Sequence, residues 1–199
     1  MEEKNIVLDI IIEFIKALKT KDKAIEVNIN GKMYKIWSCK YLLNQLLRQL
    51  HTPKERWYIS KKAKELWDKL SPTPIENYHY NDIVQVVSDA SIEVEIYKGN
   101  DSHFEKRTLK SGDKFKFNSV FHEEHIVPIN VIIHKLLELD NLTYANVESI
   151  LDKIAMCRIL KSEDKLLNKQ AKKNRPCDAE EVLKRIYYEK TGIEIFVGE

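Results

Sequence analysis

Phe121-His122-Glu123-Glu124-His125-Ile126-Val127-Pro128-Ile129 sets two histidines and two carboxylates in four consecutive positions, then closes on an apolar run holding a proline. Nowhere else does the chain gather so many ligand-type side chains. A strand-like run, Lys114 to Phe121, leads in, and helix-like sequence from Asn130 to Leu139 leads out. The cluster is therefore expected at the end of a β-strand, with the rest of the chain positioning it.

Upstream, Ser91 to Tyr97 alternates as a strand does, and Gly99-Asn100-Asp101 is turn chemistry. Phe104 to Leu109 and Lys114 to Phe121 are further strand candidates joined by Lys110-Ser111-Gly112-Asp113, so a small antiparallel sheet is expected to end in the cluster. Downstream come a short helix (Asn146 to Ile154), a brief buried strand (Ala155 to Leu160) and a helix from Glu163 to Lys172 capped by Ser162. A helix from Asp178 to Tyr188 and a strand from Ile193 to Val197 follow.

The amino-terminal part reads as helix from Lys4 to Lys19, then two alternating runs about Asn30-Gly31, the pattern of a tight β-hairpin. Helices are expected from Lys40 to Leu50 and from Lys61 to Leu70, the second capped by Ser60. Ser71-Pro72-Thr73-Pro74 is the clearest break. The expected fold is α+β: a helical part with one hairpin, 1–88, and a part with the small sheet and the cluster, 89–199. A single continuous domain also fits.

With 199 residues and 43% apolar content the chain can bury a real core. A net charge of only +2 excludes a histone-like binder, so any nucleic-acid surface must be a local patch. Cys39, Cys157 and Cys177 are odd in number and form no CxxC pair, which points to free thiols in a reducing compartment. The apolar run Ile6 to Leu18 is short and interrupted by Asp9, Glu13 and Lys16, so no membrane span is expected and a cytoplasmic location is.

Two metal-site patterns fail on spacing. HExxH places its histidines four apart on a helix, whereas His122 and His125 are three apart after a strand. The restriction-type PD-(D/E)xK pattern needs one residue between Glu and Lys; Glu95 and Lys98 have two, which on a strand turns them to opposite faces.

Glu124-His125-Ile126-Val127-Pro128 resembles the first motif of the HNH nucleases, also called ββα-metal or His-Me finger nucleases: an acid, His, an aliphatic, any residue, then Pro at a strand end. The resemblance implies a ββα-metal-like core and a Mg²⁺- or Mn²⁺-dependent endonuclease acting on double-stranded DNA, of the restriction or phage-defence type. It implies Glu124 as metal ligand and His125 as general base on the attacking water. The second ligand would come from the helix after the short buried strand, which offers Glu163 or Asp164. Arg158 and Lys161 would grip phosphate, and the basic run Lys172, Lys173 and Arg175 would contact the backbone. The family's terminal His or Asn is missing, as are the cysteine pairs that staple many members around zinc. A homodimer is left open. The same residues admit a plainer reading, in which the cluster is a charged strand end, Glu163 and Asp164 merely favour a helix dipole, and the chain is a non-catalytic DNA-binding or protein-interaction module.

Overall fold

The structure, a computed structural model, describes residues 2–20, 26–29, 31–35, 39–50, 52–89, 91–99, 103–171 and 175–197. In chain order the elements are α1 (Glu2–Lys19), β1 (Glu26–Ile29), β2 (Lys32–Lys35), α2 (Cys39–Gln49), β3 (Trp57–Ser60), α3 (Lys61–Leu70), β4 (Ile83–Gln85), β5 (Ile92–Lys98) and β6 (His103–Leu109). Then follow β7 (Lys114–Lys116), α4 (Phe117–Val120), β8 (Phe121–His125), α5 (Ile129–Glu138), α6 (Tyr144–Leu151), β9 (Met156–Leu160), α7 (Lys161–Ala171), α8 (Ala179–Val182) and β10 (Ile195–Val197). Helix α8 continues into a π-helical stretch, Leu183–Glu189. The fold is α+β with small, mainly antiparallel sheets, as the sequence leads one to expect. Among the described residues no helix is long and apolar enough to cross a membrane.

Two compact units form, each from separate stretches of chain. One comprises Met1–Thr52, Val127–Ile154 and Pro176–Ala179; the other comprises Pro53–Ile126, Ala155–Arg175 and Glu180–Glu199. The boundary expected near residue 88 falls inside the second unit.

In the first unit, α1 buries Leu8, Ile11, Ile12 and Ile15, the spacing of one helix face. That face meets α2, α5 and α6, whose buried side chains include Leu43, Leu47, Ile132 and Leu136. The β1–β2 hairpin pairs Ile29 with Lys32, and Gly31 has φ +78°, the left-handed conformation that a tight hairpin turn requires. Asn30, the other expected turn residue, lies outside the described residues.

The second unit carries a four-stranded sheet in the order β10-β3-β9-β8. β3 and β9 run parallel; the other neighbours are antiparallel. Two further pairs, β5–β6 and β4–β7, stand as separate ladders. The apolar core gathers around Trp67, whose ring meets Tyr78, Phe117 and Phe121 edge-on, with centroids 4.9, 5.9 and 5.4 Å away.

The expected single strand from Lys114 to Phe121 is broken. After three strand residues the chain makes one helical turn, and only then does β8 begin. Phe117, Val120 and Phe121 explain the turn: all three are buried, and helical spacing puts them on one side, whereas a continuous strand would split Val120 from Phe121. Partners differ as well. β7 pairs with β4, and β8 pairs with β9, so the cluster strand belongs to a sheet built from distant segments rather than to the end of the β5–β6 hairpin. Trp57 to Ser60, to which sequence periodicity assigns no element, is an inner strand of that sheet.

Candidate metal centre

Period-two alternation along β8 turns His122 and Glu124 to one face and Phe121, Glu123 and His125 to the other. Helix α7 starts directly after β9, β8's neighbour in the sheet, and packs against both strands. Its first turn brings Asp164 to the His122–Glu124 face. One ligand-type atom from each of His122, Glu124 and Asp164 lies within 4.8 Å of the others.

His122 is held at both ring nitrogens. Lys161 Nζ lies 3.2 Å from Nδ1, and Asp164 Oδ1 lies 3.7 Å from Nε2. An ammonium has only protons to donate, so Nδ1 accepts and the proton of the neutral ring sits on Nε2, towards Asp164. Burial lowers the His122 pKa from its ordinary 6.5; Asp164 opposes this and Lys161 reinforces it. The imidazole is therefore neutral at neutral pH. Asn168, one turn along α7, donates to Asp164 Oδ1 at 2.8 Å and fixes that carboxylate.

Glu124 is nearly buried and pairs with the buried Arg175 through Oε1. Its other oxygen, Oε2, is buried and accepts no hydrogen bond. Burial raises the Glu124 pKa, Arg175 opposes it, and Asp164 raises it further, by its charge and by the hydrogen bond that protonated Glu124 makes with it. A second orphan lies close by. The Tyr187 hydroxyl, on the π-helical stretch, is buried with no partner, and burial and then the Glu124 charge push its pKa well up. Tyr187 also stands 5.9 Å below the Arg175 guanidinium. Two unsatisfied polar atoms at one cluster are uncommon in a folded protein, where an unmet buried group costs about 1–3 kcal/mol. Glu124 and Asp164 could hold a divalent cation, whose charge would relieve the repulsion between them, with the His122 imidazole beside it.

The remaining site residues expected from sequence take other roles or positions. Glu163 is buried and acts within the framework: Oε2 accepts from Ser60 Oγ at 2.6 Å and from the Leu160 backbone N–H at 2.9 Å. That second bond caps α7, a role expected of Ser162. Arg158 is 5% exposed, hydrogen-bonds Glu123 and the Tyr78 carbonyl, and stacks 4.2 Å over Trp57, so it is not presented to a phosphate. Arg175 faces Glu124 rather than solvent. His125 is outside the three-residue cluster, on the opposite face of β8 from Glu124. Lys172 and Lys173 lie outside the described residues. Among the described residues Lys161, at His122, and Arg175, at Glu124, keep positions beside the cluster.

The site implied by the HNH resemblance includes neither His122 nor Tyr187. His122 was recoverable, since it stands two residues before Glu124 on a strand. Tyr187 carries no local signal, because its place is set by packing of the carboxy-terminal segment. The chain matches no protein-family model, no curated protein and no solved structure at a significant level.

Proposed function

We propose that this chain is a divalent-metal-dependent endonuclease that hydrolyses DNA phosphodiester bonds, with the HNH division of labour redistributed among its side chains. One observation carries this reading: His122, Glu124 and Asp164 converge while Glu124 Oε2 is buried and accepts no hydrogen bond. Glu124 and Asp164 would hold Mg²⁺ or Mn²⁺, which when bound neutralises charge on the phosphate and its leaving oxygen. Arg175 fixes Glu124 through one oxygen, leaving the other for the cation. His122 is the general base. Its Nδ1 lone pair takes the proton of the attacking water once Lys161 leaves it for the phosphate, and Asp164 stabilises the imidazolium from the Nε2 side.

Plasmid nicking with Mg²⁺ or Mn²⁺ tests the reading. Wild type is expected to nick, and Glu124→Gln and Asp164→Asn to lose activity and calorimetric Mn²⁺ binding together. His122→Ala should slow cleavage roughly 10²- to 10⁴-fold, the usual contribution of a general base, while still binding Mn²⁺. Loss of cleavage in His125→Ala with full cleavage in His122→Ala would return the base to His125. A wild-type protein that shifts DNA in a gel but cuts nothing with either metal is a binding module, not a nuclease.

A further inference from the structure

Lys161 has aromatic neighbours that catalysis at the cluster does not call for. Its Nζ lies 5.6 Å from the Tyr80 ring centroid and 5.7 Å from that of Tyr97. The row continues along α7: Tyr97 packs against Phe104 at 5.5 Å, and Lys165, one turn beyond Lys161, lies 5.3 Å over Phe104. Cations and rings therefore alternate along the edge of the His122–Glu124–Asp164 cluster, which Lys161 itself touches through His122.

Tyr80 is 44% exposed, so much of its ring surface is open. It is also held in place. Residues 79–82 form a tight turn closed by Asp82 N–H to the His79 carbonyl at 3.0 Å, and the Asp82 carboxylate accepts from the His79 N–H at 2.7 Å. A large ring on a fixed turn is a stacking surface presented at little entropic cost. A base inside a duplex is already stacked on both sides and gains nothing from such a ring, whereas an unpaired base does. The cation beside the ring suits the phosphate of the same nucleotide.

We propose that Tyr80, Lys161 and Tyr97 form a binding site for an unpaired nucleotide of single-stranded DNA, its base on Tyr80 and its phosphate at Lys161. The inference deepens the nuclease reading by naming the substrate class: a strand with an unpaired nucleotide at the scissile phosphate.

The test is fluorescence anisotropy with labelled oligothymidylate and with the corresponding oligo(dA)·oligo(dT) duplex, in chelator and without divalent cation, so that binding is read apart from cleavage. Wild type is expected to bind the single strand more tightly than the duplex. Tyr80→Ala should weaken single-strand binding roughly 5- to 150-fold, the range for one lost stacked base, and leave duplex binding unchanged. Tyr80→Phe should bind as wild type does. Lys161→Gln should lower the salt dependence of single-strand binding by about 0.7 in the log–log slope, one phosphate contact. Equal affinity for the two DNA forms, or wild-type affinity in Tyr80→Ala at an unchanged thermal midpoint, overturns the proposal. Cation-dependent plasmid nicking alongside that negative result would leave the nuclease reading standing alone. Tyr80-dependent binding with no cleavage would do the reverse.

Discussion

Two glutamate–arginine pairs hang from consecutive residues of β8, one on each face. Glu123 pairs with Arg158 at 3.2 Å, and the guanidinium also reaches the Tyr78 carbonyl and lies over Trp57. Glu124 pairs with Arg175, but one of its oxygens accepts no hydrogen bond, and a second carboxylate and an imidazole stand beside it. The first arrangement is a closed account of donors and acceptors in the framework. The second leaves negative charge and a lone pair over, on the face that α7 covers. Identical chemistry one residue apart thus serves structure on one side of a strand and a candidate reaction site on the other. The difference is what each pair leaves unsatisfied.

The largest expected effect tests the closed pair. Arg158→Ala strands Glu123 in a buried position and should cost about 3–5 kcal/mol, a fall of roughly 6–20 °C in thermal midpoint. Arg175→Ala strands Glu124 likewise, yet Mn²⁺ should restore much of that loss and none of the Arg158→Ala loss. Equal rescue of both variants, or of neither, would erase the distinction between the two faces.

A smaller effect concerns Glu163, whose carboxylate serves Ser60 and the Leu160 N–H. Glu163→Ala should lower stability by about 1–3 kcal/mol while leaving the Mn²⁺-induced rise in thermal midpoint intact. Disappearance of that rise would bring Glu163 back among the metal ligands.

The smallest is a pH slope in chelator. The folded pKa of Glu124 is raised above its ordinary 4.5, so stability from this group is present below pH 4.5 and lost as pH rises through the folded value. Glu124→Gln removes that loss and should gain on wild type as pH climbs above 4.5. His122 has the opposite sign. Its folded pKa lies below 6.5, so stability is present above pH 6.5 and lost as pH falls through the folded value, a loss that His122→Gln should abolish. Thermal midpoints of wild type and the two variants across this range read both slopes. A flat difference for Glu124→Gln would show that burial does not raise the Glu124 carboxyl.

Much of the fold was legible in the chain because its signals are local. The β1–β2 hairpin turned at Gly31, the Ser60 cap on α3 and the apolar stripe of α1 each depend on residues within a turn or two of one another. Sequence likewise singled out the 121–129 stretch and the acidic start of the later helix as partners. The HNH resemblance chose His125 over His122 and left Glu163 and Asp164 open, whereas the structure gathers His122, Glu124 and Asp164. Which of His122 and His125 joins Glu124 depends on strand alternation, and that alternation begins at Phe121 only because Phe117, Val120 and Phe121 close a helical turn around Trp67. Which of Glu163 and Asp164 faces the cluster depends on Ser60, a residue 103 positions away that captures Glu163. Composition and short-range pattern decided which elements form and which residue types cluster. Pairing of β8 with β9, and of β9 with β3, decided which face each side chain takes, because strand register and burial are settled by partners distant in the chain.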